Sequence, residues 1–341
     1  MPVNFHELQA KNRRRTVGLV AFMVCLLVLA AMALEARLTG QLPVWDSFDA
    51  FLAAPPVFGL AALGLSLGYA GVSYFAGART VLFLSRARRL DPTKLKEQQF
   101  KNVAEEMALA AGLPCPELWI MADDDLNAFA TGRDPAHASI AVTQGLLENM
   151  NRDELQAVVA HEMGHIRNRD ILLMLYVTCM LGAILLITEI ILRSFRFGGV
   201  RRRSSNRDNG GGAAIVLVFV IVAAIVSWIV SRMVAMAISR EREYLADATS
   251  AELTRNPQSL ADALQKIHAA VQPTAVAYPA TAPLFIDDPK GSKLNSKESR
   301  LAGLFSTHPP IDQRIRRLEA MAFADAKRER AAKGLDPLTG W

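Results

Sequence analysis

Four uncharged apolar blocks dictate what this chain can become: Thr16 to Leu34, Val57 to Ala78, Ile171 to Thr188 and Ala213 to Ser231. Each is long enough as a helix to cross a hydrocarbon layer of roughly 30 Å, whereas a buried helix of a soluble protein rarely runs that far without a charge. The blocks predict a membrane protein with four hydrophobic helices, transmembrane or membrane-dipping. The third is the least regular, because Glu189 follows it closely, and Arg232 follows the fourth. The apolar run of the first is long for a secretory signal and no small-residue cleavage site follows Leu34, so it reads as a retained span. At 341 residues, 21% charged and 51% hydrophobic, the chain as a whole is neither disordered nor of low complexity.

Charge bias orients the blocks, since short loops rich in Lys and Arg stay on the cytoplasmic side. Lys11, Arg13, Arg14 and Arg15 precede the first block, while the connection from Glu35 to Pro56 sets Arg37 against Glu35, Asp46 and Asp49. Arg79, Arg86, Arg88, Arg89, Lys94 and Lys96 follow the second. The amino terminus and the segment after residue 78 are therefore expected in the cytoplasm. The formal charge of +5 is mostly juxtamembrane, which points to membrane lipids. No aromatic-interleaved or zinc-finger spacing supports a nucleic-acid partner. Arg193, Arg196, Arg201, Arg202, Arg203 and Arg207, opposed by Asp208, lie where simple alternation places an outside loop. The last two blocks thus either span against the bias or enter as a hairpin without crossing. Gly64 and Gly68, at small-xxx-small spacing, favour close helix packing. Cys25, Cys115 and Cys179 have no zinc-knuckle, redox or disulfide spacing, so any metal would be held by His and carboxylate.

The segment after the second block carries the chemistry. Asp91-Pro92 predicts a helix start, with Phe100, Val103 and Met107 on one face until Gly112 ends it. Leu118 to Ala122, Asn127 to Thr131 and Ser139 to Val142 read as short strands of a small sheet. Asn151 and Glu154 open a second helix, continued by Leu155, Val158, Val159 and Met163. On it stands His161-Glu162-Met163-Gly164-His165, an HExxH motif. Residues four apart share a helix face, so the two imidazoles can converge on one zinc ion. Glu162 lies about 100 degrees round the axis, where it can act on a metal-bound water instead of ligating beside them.

A third ligand is needed, and Glu243 in Glu241-Arg242-Glu243-Tyr244-Leu245-Ala246-Asp247 is the leading candidate, with Glu241 competing. His165 lies just before the third block and Glu243 just after the fourth, so two antiparallel helices return the chain to the face it left. Asp247, one turn beyond Glu243, is placed to accept the free N–H of a ligating histidine and fix its tautomer. His6, His137 and His268 lack ligand partners at useful spacing, and Ile311, Ile315 and Leu318 form a packing face.

These pieces together resemble the membrane-embedded gluzincin-type zinc endopeptidases, the group of HtpX-like heat-shock proteases and CAAX prenyl proteases, with the HtpX-like branch nearer. The resemblance rests on His161 to His165 with Asn168 and Asp170, Glu243-x-x-Ala246-Asp247, Asn127-Ala128-Phe129-Ala130-Thr131-Gly132, and Ser306-Thr307-His308-Pro309-Pro310 with Arg314. It runs from about residue 85 to 320, and the four blocks match in order. It implies one zinc ion per chain held by His161, His165 and Glu243. It also implies Glu162 as general base and acid in the attack of a zinc-bound water on a peptide bond. Substrates would be membrane or misfolded proteins, cleaved in protein quality control from the cytoplasmic side of a bacterial inner membrane. Asn127, Ala128, Phe129, Ala130 and Thr131 resemble the edge strand that pairs with substrate backbone. His308 and Arg314 resemble residues that stabilise the oxyanion. No role carries over to the arginine-rich connection or to Lys327, Arg328, Arg330 and Lys333.

The expected fold is mainly α with a small β-sheet, a zincin-like protease domain attached to four hydrophobic helices. Residues 1–15 form a basic cytoplasmic start, 16–78 two transmembrane helices and 79–170 the first part of the catalytic domain. Residues 171–238 form the hydrophobic hairpin, 239–325 the second catalytic part and 326–341 a basic tail. Two other readings compete: a transporter or channel using Glu189 and Arg232 as intramembrane charges, and a zinc-binding scaffold without activity. Neither accounts for a base at Glu162 beside two ligands.

Overall fold

Short runs of β-branched and small apolar residues between turns build a sheet under the HExxH helix, and long apolar helices flank it. A computed structural model of the protein describes residues 5–39, 55–197, 240–270, 281, 284–286 and 309–333. Strands β1 (Ala87–Arg89), β2 (Glu117–Met121), β3 (Ala128–Gly132) and β4 (Ala138–Thr143) lie in the order β1-β2-β4-β3. The β2–β4 pair is parallel and the outer pairs are antiparallel, with Phe129 opposite Ala141 and Trp119 opposite Ala141 from the other side. The mainly helical class with a small mixed sheet is as the sequence predicts, and the three expected strands fall within one residue of their predicted limits.

Helix α1 (Phe5–Thr39) contains the first apolar block and α2 (Val57–Leu84) the second. Among the described residues α2 alone is long and apolar enough to cross a membrane by length and composition. It buries few of its side chains, and Leu65, Val72 and Phe75 are 76, 62 and 71% exposed, an apolar surface suited to lipid rather than water. Glu35 of α1 accepts hydrogen bonds from the backbone N–H groups of Val57 and Phe58 at 2.9 and 3.1 Å, capping the otherwise unpaired start of α2. Close packing is not at Gly64 and Gly68, which have nothing within 4 Å of where a Cβ would stand. It is at Gly59, against Met32, and at Gly77, against Leu175 and Cys179. Helix α6 (Asp170–Phe197) carries the third block, with an apolar run over Asp170–Ala183. The fourth block, Arg232, and the arginine-rich connection from Arg201 to Arg207 lie outside the described residues, as does the tail beyond residue 333.

Helix α3 spans Leu95–Ala111 and ends on Gly112 in the left-handed region, the expected glycine terminus. Its start is later than Asp91-Pro92 predicts. The Asp91 carboxylate is bound by the N–H and hydroxyl of Thr93, a local turn that competes with helix, and the helix begins at Leu95. A one-turn helix α4 (Gln144–Asn149) leads into α5 (Arg152–Arg167), which opens on the Asn151–Glu154 capping box. Helices α7 (Arg240–Thr254), α8 (Pro257–Ala269) and α9 (Ile311–Ala332) complete the domain. Phe100, Val103 and Met107 of α3, Ile140 and Val142 of β4, Leu155, Val158 and Met163 of α5, Leu260 and Leu264 of α8, and Ile315 and Leu318 of α9 share one buried core. The periodic apolar faces read from the sequence are thus the faces that meet. The residues assigned to a separate basic tail continue α9 as far as Ala332.

Candidate metal and catalytic site

Helix α5 is buried nearly all round where it bears the motif: His161 and Met163 are fully buried and Glu162 nearly so. Helix α7 crosses it at Gly164, where the missing side chain lets the Ala246 backbone approach. That contact sets Glu243, three residues before Ala246, opposite the two imidazoles. One ligand atom from each of His161, His165 and Glu243 lies within 4.8 Å of the other two. The Glu243 oxygens stand 3.9 Å from His161 Nε2 and 3.7 Å from His165 Nε2. Donors at the vertices of a tetrahedral zinc site lie about 3.4 Å apart, so small side-chain movements bring all three to bonding distance. Glu241, the competing candidate, is exposed and outside the group.

The histidines have their Nε2 atoms turned inward and their Nδ1 atoms toward carboxylates. His161 Nδ1 is 3.0 Å from Asp247 Oδ1, and His165 Nδ1 is 3.3 Å from Asp170 Oδ2. A carboxylate behind an imidazole favours, when a metal is bound, the neutral tautomer with the lone pair of Nε2 toward the ligand position. Asp247, expected behind a ligating histidine, lies beside His161. Asp170, the partner of His165, is a role the sequence reading did not assign, although its place in the first turn of α6, five residues after His165, is the signal that could have found it.

Arg314 joins the cluster from the first turn of α9 and is 1% exposed. It grips Asp247 with Nε and Nη2 at 2.9 and 2.7 Å, and its Nη1 lies 3.3 Å from Glu243 Oε2. Nη2 also stands 3.5 Å from His161 Nε2. The cationic residue of the resemblance is therefore at the centre, engaged with the ligands' own partners. His308 lies outside the described residues.

Four buried carboxylates, Glu162, Asp170, Glu243 and Asp247, face two buried guanidiniums, Arg242 and Arg314. A divalent cation would balance that difference, and with neutral imidazoles the donor set is the one zinc takes. Burial raises the pKa of Glu162, against the pull of His161 and His165. Burial opposes the charge of His165, but the Asp170 hydrogen bond and the carboxylates of Glu243 and Glu162 outweigh it and push its pKa up to about 9. Burial likewise disfavours the Asp247 carboxylate, and the Arg314 charge overcomes this to hold its pKa below the usual value.

Strand β3 is an edge of the sheet, as the resemblance requires of the substrate-pairing segment. Asn127 precedes it, buried, with its N–H and carbonyl held by Thr143. Pairing with β4 alternates along the strand, so Ala128 and Ala130 turn their backbone groups outward. The Ala128 carbonyl already accepts the Ile286 N–H at 3.1 Å, and the Ile286 carbonyl accepts from Arg314 Nη1 at 3.2 Å. Phe285 packs edge-on against Phe129. This segment was not singled out in the sequence.

A model of peptidase family M48 matches residues 94–322. The chain is similar to a protease HtpX homolog of Caldanaerobacter subterraneus subsp. tengcongensis, 44% identical over 257 residues, covering 75% of this chain and 82% of that protein. A protease HtpX homolog of Streptococcus uberis is 38% identical over 315 residues, covering 92% of this chain and 98% of that protein. Among solved structures, the crystal structure of S. mikatae Ste24p aligns with a TM-score of 0.47 at 17% identity, covering 92% of this chain and 66% of that one.

Proposed function

This chain belongs to peptidase family M48 and is an HtpX-like metallopeptidase, and we propose that it is a multi-pass zinc endopeptidase of the bacterial inner membrane. In this reading its site faces the cytoplasm, and it cleaves membrane or misfolded proteins in quality control. The observation that carries the reading is the convergence of His161, His165 and Glu243, each histidine backed by a carboxylate, beside the buried Glu162. The exposed apolar surface of α2 supports membrane attachment.

One zinc ion held by His161, His165 and Glu243 supplies Lewis acidity toward a peptide carbonyl and toward water. Glu162 removes a proton from the attacking water and returns it to the leaving amine. Asp247 and Asp170 hold the imidazoles in the tautomer and orientation that ligation needs. Arg314 adds fixed positive charge beside the reacting carbonyl, a task the resemblance extends to His308. Substrate enters as an extended strand along Asn127, Ala128, Phe129, Ala130 and Thr131, which recognises backbone and tolerates many sequences. Because Ile286 holds the Ala128 carbonyl, a substrate strand would replace that contact or pair beyond it.

The test is Glu162→Gln in the full chain. Cleavage of an unfolded test protein should fall about 10²- to 10⁴-fold while zinc stays bound, the scale of a lost general base. Turnover close to that of the parent ends the proposed mechanism.

A further inference from the structure

The metal ligand His165 is held from further away than its own helix. Behind it stands Asp170, whose Oδ2 is 3.3 Å from His165 Nδ1. The other oxygen of Asp170, Oδ1, accepts from Asn12 Nδ2 at 2.5 Å, across 158 residues of chain. The same amide donates to the Asn168 carbonyl at 3.1 Å, at the end of α5. Asn12 is 4% exposed, although it lies in the basic stretch just ahead of the first apolar block, where Arg13, Arg14 and Arg15 are all exposed. A buried amide that spends both N–H groups on one junction is placed by that junction.

Arg242 makes the arrangement matter. It is 7% exposed, its Nη1 is 3.5 Å from Asp170 Oδ1, and its Nε and Nη2 have no hydrogen-bond partner among the described residues. A guanidinium so placed has a strong preference for gripping a carboxylate with two N–H groups. Were Asp170 to turn into that grip, Oδ2 would leave His165. The short Asn12 bond fixes Oδ1 and so keeps the carboxylate rotated toward the imidazole.

We propose that Asn12, in the segment ahead of the first span, is a positioning residue for the metal site, acting through Asp170 to orient His165. This rests on the reading of His165 as a zinc ligand. It makes zinc affinity depend on docking of α1 against the α5–α6 junction, so the site is complete only when the first helix is seated. Thr16, one turn on and also buried, donates its hydroxyl to the Asn12 carbonyl and makes no hydrogen bond to Asp170 among the described residues, so it separates packing from positioning.

The experiment is a zinc dissociation constant, measured by competition with a chromophoric chelator on the full chain in detergent, in a Glu162→Gln background that prevents self-cleavage. Replacing a group behind a ligating histidine typically weakens metal about 10- to 100-fold, so Asn12→Ala should weaken zinc about tenfold. Asn12→Ser, too short to reach Asp170, should match it. Asn12→Gln, which keeps the amide, should recover part of the loss, and Thr16→Val should bind as the parent does. With Asp170→Asn already present, Asn12→Ala should add less than about twofold, the mark of a residue acting through another. Zinc binding by Asn12→Ala and Asn12→Ser equal to the parent overturns the proposal, as does an Asn12 effect undiminished in the Asp170→Asn chain. Should the parent bind no zinc that His161→Ala and His165→Ala remove, the metal site itself is wrong and this inference goes with it. Parent binding of that kind with silent Asn12 variants sinks the inference alone.

Discussion

A Cβ built on Gly164 would lie 3.1 Å from the Ala246 Cα and 3.2 Å from the Thr249 Cβ, so the crossing of α5 and α7 is closer than a side chain there would ordinarily permit. Ser250 reinforces it by donating to the Ala157 carbonyl at 2.7 Å. The ligand geometry is a consequence, because His161 and His165 flank Gly164 and Glu243 precedes Ala246 by less than one turn. For Gly164→Ala, overpacking costs about 1–3 kcal/mol, while alanine in a helix interior returns about 1 kcal/mol over glycine. Global stability should therefore fall by about 0–2 kcal/mol. Zinc sites tolerate displacements of only about 0.2 Å, so zinc affinity should fall about tenfold or more. Thermal melting beside chelator competition separates the two effects, and parent-like zinc affinity in Gly164→Ala would show that the crossing does not set the site.

Asp247 serves two partners, His161 and Arg314, and its loss should be felt by both. Asp247→Ala leaves the Arg314 charge buried without its bidentate acceptor, a defect that costs about 3–5 kcal/mol. Zinc affinity should drop about 10- to 100-fold in the same variant. Arg314→Lys keeps the charge but cannot reproduce two parallel N–H···O bonds, so it should be milder in stability. A denaturant midpoint that moves in neither Asp247→Ala nor Arg314→Lys would count against this pairing as a structural tie.

Local rules account for much of what the sequence shows in advance. The capping box at Asn151, the glycine stop at Gly112 and the two imidazoles at i and i+4 all depend on residues within one or two turns. Glu243, with Glu241 competing, was within reach because two apolar blocks of similar length are expected to bring the chain back to the face it left. Asn12 and Ile286 were not, since their contacts join segments 28 to 158 residues apart and no periodicity marks them. Gly64 and Gly68 mislead for the related reason that spacing shows where helices can approach, not which neighbour arrives. Asp91 misled because its side chain satisfies Thr93 in place of a helix start.

The bond from Glu35 to the first N–H groups of α2 ties α1 to the start of α2, so its loss should weaken that junction and nothing else. Losing a cap of this kind costs about 1 kcal/mol. Glu35→Ala should lower the unfolding midpoint in mixed detergent micelles by that amount, and Glu35→Gln, which retains one acceptor, by less. Zinc affinity should stay at the parent value in both, since the cap is remote from the site. An unchanged midpoint in Glu35→Ala would remove the cap from the account of how α1 and α2 are joined.

Acid sensitivity should arise in part at Glu97, far from any ligand. Arg88 grips its two oxygens at 2.6 and 2.8 Å and the Asp91 N–H donates at 2.8 Å. The Arg88 hydrogen bonds lead in lowering its pKa from 4.5 to about 2. A carboxyl whose pKa is lower folded than unfolded adds stability above its unfolded value and loses it as pH falls through the folded one. The contribution is therefore complete above about pH 5 and gone near pH 2. The Arg88 side chain is 39% exposed, so solvent screening holds the expected worth to about 1–2 kcal/mol. Glu97→Gln should then be less stable than the parent by that amount at pH 7, with the two curves drawing together between pH 5 and pH 2. A gap of equal size at pH 7 and pH 2.5 would mean that the glutamine disturbs packing of α3 and that the ion pair is not the source.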